Sequence, residues 1–127
     1  MTNQIQGELL FKGWSGTLAA DWVYTPWMRV AGDVATFGVE VIARNGVTLT
    51  WDVETRTLES AAAVSVFGTP PATVSTTGVH LDTNDDITDP DTLAKELVRY
   101  KFHTGSTAST TDYVVFRALM PSWQKDR

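Results

Sequence analysis

A chain of 127 residues and 13.9 kDa has room for one hydrophobic core, since folding at this size buries roughly two-thirds of the extended chain's surface. Apolar residues make up 43% and charged residues 20%, the balance of a globular domain, while the absence of cysteine excludes disulfide scaffolds, thiolate metal sites and thiol nucleophiles. The formal net charge of −5 has the wrong sign for gripping phosphate backbones, so no nucleic-acid partner is expected.

The opening MTNQIQGELLFKG lacks a basic region followed by an apolar run, so no signal peptide is expected. Ile5 to Phe11 reads as a first strand. Gly13-Trp14-Ser15-Gly16-Thr17 falls short of a nucleophile elbow, because its last position is not Gly and no helix follows. Trp22 and Tyr24 alternate with Val23 and Thr25 before Pro26, which cannot donate to a central ladder. The segment is therefore an edge strand, or one that bends at Pro26 and continues through Trp27 to Val30.

From Val34 to Thr57 the period is two. Phe37, Val39, Val41 and Ala43 alternate with Thr36, Gly38, Glu40 and Ile42, and Val47, Leu49, Trp51 and Val53 with Thr48, Thr50, Asp52 and Glu54. A hairpin through Arg44-Asn45-Gly46 is expected, with a three-residue loop that sets Val41 opposite Leu49 and Gly46 in the left-handed position of a bulge. Glu40, Asp52 and Glu54 then fall on its solvent face as ordinary exposed acids. Val64 to Phe67 is a short strand, broken at Gly68-Thr69-Pro70-Pro71, and Ala72 to Leu81 a Thr-rich one ending near His80.

Asp82 to Asp91 reads as an exposed acidic loop, with one helical turn expected from Leu93 to Glu96 after Asp89-Pro90. Asp82, Asn84 and Asp86 imitate the first ligands of a calcium loop, but Ile87 and Leu93 stand where an EF-hand needs Gly and Glu. Val98, Tyr100 and Phe102 alternate with Arg99 and Lys101 in a half-exposed strand. Gly105 to Thr111 is a loop. Tyr113 to Met120 is apolar on both parities save Arg117, a central strand that Pro121 should end. The expected core is Phe37, Val39, Val41, Leu49, Trp51, Val53, Val115, Phe116 and Leu119.

Nineteen Thr and fourteen Val favour pleated surfaces. The fold expected over 1–127 is a single all-β domain: a two-sheet antiparallel β-sandwich, jelly-roll-like, with about seven to eight strands. No stretch of about 18 apolar residues exists, so a soluble chain without membrane contact is expected. His80 and His103 have no metal-ligand spacing, and neither a metal nor a cofactor is expected.

No catalytic constellation emerges, so the expectation is a non-enzymatic structural protein that works through protein partners, by self-association or on a larger shell. An acidic, cysteine-free β-domain fits a virion component such as a minor capsid or capsid decoration protein. The alternative is a small carbohydrate-binding β-sandwich module. Trp51 belongs to the core, whereas Trp14, Trp22, Trp27 and Trp123 lie near turns or ends, where an indole can anchor an interface or stack on a sugar. Assembly contacts are expected from the N-terminal and C-terminal segments.

Overall fold

The computed structural model describes residues 8–14, 22–32, 34–84, 94–104 and 112–124. Among them, nine strands run β1 (Glu8–Trp14), β2 (Val23–Tyr24), β3 (Met28–Arg29), β4 (Val34–Asn45), β5 (Leu49–Arg56), β6 (Val64–Ser65), β7 (Gly78–Thr83), β8 (Leu97–Thr104) and β9 (Tyr113–Gln124). They form two antiparallel sheets. The first has the order β1-β9-β4-β7; in the second, β2 and β3 share one side of β8, followed by β5 and β6.

Pro26 lies between β2 and β3, so the two are halves of one interrupted edge strand and eight strands remain. Four ladders, β1:β9, β2/β3:β8, β4:β7 and β5:β6, are those of one long hairpin with its tip at β5:β6. Rolling that hairpin adds the contacts β4:β9 and β5:β8 and closes a jelly roll.

The roll corrects the local hairpin expected at 34–57, because β4 and β5 lie in different sheets and do not pair. The parities were right and the partners wrong. Phe37, Val39 and Val41 face Leu49, Trp51 and Val53 across the sandwich, all at most 2% exposed. Gly46 is left-handed, with φ 75°, but it turns the chain between sheets. A Cβ there would also run into the Asp112 carboxyl group.

Other boundaries move for physical reasons. β9 passes through Pro121 to Gln124, because the proline sits at a bulge. Gly38 pairs with Leu119 and Thr36 with Ser122, so Met120 and Pro121 together oppose Phe37, where a missing ladder N–H is tolerated. A second bulge at Ile42, between the pairs Val41–Phe116 and Ala43–Val115, leaves Ile42 exposed. Val114, Phe116 and Ala118 are the core residues of β9, and Val115 and Leu119 are only half-buried, since they lie on the outer face.

The Thr-rich strand shifts to Gly78–Thr83. Of Ala72 to Ser75, only Val74 pairs, in a bridge to Leu49. Asp82 is thus a strand residue, and Asn84 is 2% exposed, not the start of an exposed loop. Its side-chain Oδ1 accepts from Ala35 N at 2.9 Å, extending the β4:β7 ladder by one rung. Asp86 and the remainder of the acidic segment lie outside the described residues, as do residues 105–111, 1–7 and 125–127. Ala94 to Glu96 is not helical.

Aromatic rings fill the centre. Phe37 meets Phe67, Tyr100 and Trp123 edge to face at 5.9–6.1 Å, and Tyr100 stacks on Phe102 at 5.7 Å. Tyr100 also ties the sheets together. Its hydroxyl accepts from Gly38 N at 2.9 Å and donates to Leu119 O at 2.7 Å, beside the bulge that disturbs the β4:β9 ladder. Burial raises its pKa.

Candidate interface surfaces

Alternation along β8 turns Val98, Tyr100 and Phe102 inward and Arg99, Lys101 and His103 outward. The short halves β2 and β3 offer little ladder, and aromatic side chains make up the difference. Lys101 Nζ lies 4.3 Å from the Trp22 ring centroid, and His103 meets that ring edge to face at 4.2 Å. The Arg99 guanidinium lies 3.9 Å from the Tyr24 ring and 4.3 Å from Trp27, which Arg56 approaches to 5.0 Å. Glu54 holds both cations, with Arg99 Nη2 at 3.0 Å and Lys101 Nζ at 3.3 Å. Partly desolvated cation–π contacts of this kind are worth roughly 0.5–2 kcal/mol each.

Asp52 sits on the same outer face but is only 8% exposed, which corrects the expectation of a free surface acid. Ser65 Oγ and Val53 N both donate to its Oδ1 at 2.8 Å. Burial raises its pKa, and these two hydrogen bonds and Lys101 oppose the rise. Glu40 stands apart in the other sheet, where Arg117 Nε donates to its Oε1 at 2.7 Å.

On the outer face of β4, β7 and β9, apolar side chains surround that ion pair. Leu119, Gly38 and Leu81 form one row, and Arg117, Glu40 and Val79 the next. Leu81 is 61% exposed, Val79 54% and Tyr113 42%; Val115 and Leu119 are half-buried. A Cβ at Gly38 would lie 2.5 Å from Leu81 Cδ2 and 3.2 Å from His80 O, so any side chain here would displace Leu81. The two leucines close over it.

The four tryptophans singled out from the sequence fall in three places. Trp22 and Trp27 share the outer face of β8, each half-buried with a cation over its ring. Trp123 is half-buried and packs on the core through Phe37. Trp14 lies on β1 opposite Tyr113, at the far end of β9 from Trp123. Sequence reasoning missed the Val79–Leu81–Leu119 surface. Its signal was the shared parity of Val79 and Leu81, hidden by the misplaced strand boundary.

His80 and His103 lie in different sheets, and among the described residues no three metal-ligating side chains come together. Ser15 to Thr17 of the elbow-like motif lie outside them. A cleft of about 430 Å³ opens between 71–76 and β7, with Trp51, Thr73, His80 and Asp82 in its wall. Among the described residues no helix is long and apolar enough to cross a membrane. No protein-family model matches the chain, and a search of curated proteins finds no match.

Proposed function

We propose that this protein is a non-enzymatic assembly component, an oligomeric or shell-bound module of a virion such as a minor capsid or capsid decoration protein of a phage. The jelly roll alone does not choose this role, since the fold hosts shell proteins and sugar-binding domains alike. The observation that supports it is the outer face of β9, β4 and β7, where Tyr113, Val79 and Leu81 are exposed beside Val115 and Leu119. Exposed apolar side chains gathered on one sheet face are characteristic of protein interfaces, and the Glu40–Arg117 pair among them is mutually neutralised. Sedimentation of lysate from the source organism tests the reading. The chain should travel with particles far heavier than 13.9 kDa, and Tyr113→Asp should leave it near the top of the gradient. A wild-type chain that stays at the top overturns it.

The carbohydrate reading draws on a different observation, the row Trp22, Tyr24 and Trp27 along one edge. Cations already lie against each of these rings, two of them against Trp27, which restricts the ring faces open to a sugar. Retention on immobilised glycans that is lost in Trp27→Ala would favour it.

A further inference from the structure

Resting on the assembly reading, we propose that β7 is a self-pairing edge, joining two copies of this chain into one continuous antiparallel sheet. β7 ends its sheet and pairs only with β4 among the described residues, so its outward N–H and C=O groups have no ladder partner there. Edge strands usually carry a block against further pairing: Lys, Pro, a bulge or very short length. β6 has two residues, β2/β3 is interrupted at Pro26, and β1 contains Lys12. β7, Gly78-Val79-His80-Leu81-Asp82-Thr83, has six residues, an unbroken register, and neither Lys nor Pro.

The occupant follows from self-complementarity. A twofold axis through Leu81 sets Leu81 opposite its own copy, Val79 opposite Thr83, and His80 opposite Asp82 twice over. An imidazole directly across from a carboxylate can donate a hydrogen bond to it, in exchange for the contact of His80 Nε2 with Thr76 O at 3.1 Å. Moving the axis to His80 would set imidazole against imidazole, and a slip of one residue would turn apolar residues to the opposite face. The chosen register also continues the apolar outer surface across the join, since Leu81 belongs to the Leu119–Gly38–Leu81 row. An isologous twofold contact of this kind closes on itself and makes a dimer rather than a fibre.

The chain has no cysteine, so engineered thiols report the register cleanly. Directly opposite Cβ atoms lie about 4.5–5.5 Å apart, close to disulfide reach, whereas residues offset by four rungs are about 13 Å apart. Sedimentation equilibrium of the full chain should give twice 13.9 kDa at high concentration. Leu81→Lys, at a side chain that is 61% exposed, should keep the far-UV spectrum and lose the dimer. Mild oxidation should crosslink Leu81→Cys into dimers and leave Val79→Cys monomeric. A monomeric wild type at every concentration, a Leu81→Lys dimer, or equal crosslinking at both thiols would overturn the pairing. If that chain still sediments with particles, the assembly reading stands without β7; if it does not, both fall.

Discussion

Replacing Tyr100 by Phe removes one oxygen atom and orphans two backbone groups. Gly38 N–H loses its acceptor at 2.9 Å and Leu119 C=O its donor at 2.7 Å. Both belong to the facing pair Gly38–Leu119 beside the Met120–Pro121 bulge, and the hydroxyl bridges them. A buried polar group left without a partner costs about 1–3 kcal/mol, and a carbonyl with a second lone pair falls at the low end. Tyr100→Phe should therefore lose about 2–4 kcal/mol, which for a domain of this size lowers Tm by roughly 8–16 °C. Urea unfolding should show a lower midpoint at unchanged m, because the surface exposed on unfolding hardly changes. The hydroxyl also carries an alkaline signature. Its folded pKa is raised above the ordinary 10.0, so the unfolded chain ionises first. Stability associated with this group is complete below pH 10 and falls as pH rises beyond it, and Tyr100→Phe should lack that decline. A loss below about 1 kcal/mol would refute the reasoning, since it would mean that the two backbone groups find other partners.

Asp52 gives the same pH sense at the acid end. Its folded pKa is raised above 3.8, so its ionised form weighs against folding at neutral pH and that penalty fades as pH falls through the folded pKa toward 3.8. Asp52→Asn, which can still accept from Ser65 and Val53, should remove this dependence in acid-range melting curves. Asp52→Ala should cost about 1–2 kcal/mol by urea unfolding, through the orphaned Val53 N–H. Gly46→Ala should lose more than about 1 kcal/mol, because Ala resists φ 75° and its methyl meets Asp112. Asn84→Ala should lose a similar amount, through the buried Ala35 N–H left without its acceptor. Trp27→Ala should loosen the β2/β3 edge, seen as faster amide exchange at Thr25 and Val30, whose N–H groups bond Tyr100 O and Glu96 O.

Side-chain parity was legible wherever the alternation was clean. Phe37, Val39, Val41, Leu49, Trp51 and Val53 could be assigned to the core because a period of two needs no knowledge of partners. Pairing was not legible. A three-residue link between two apolar strands reads equally well as a hairpin and as a crossing between sheets, and only the distant strands β8 and β9 decide. The bulge at Pro121 and the inward turn of Asn84 were hidden for the same reason, since each answers a backbone group on another strand. On the surface, the tryptophans were conspicuous by residue type, but their partners Arg56, Arg99 and Lys101 read only as ordinary strand polar positions. The Leu81–Leu119 contact depends on the missing side chain at Gly38, a feature visible only once β4 lies between β7 and β9.

The rolled hairpin also imposes an order of events on folding. Thr55 and Val64 meet across the tip, Val41 and Gly78 further out, Arg29 and Leu97 further still, and Trp14 and Tyr113 last. Each outer pair closes a far longer stretch of chain than the one inside it, and closing loop entropy makes such distant pairings slow. Once an inner pair has formed, the next has only a short additional span to close, so the strands zip outward from the tip. The last rungs to form, those of β1 on β9, should be the first to open.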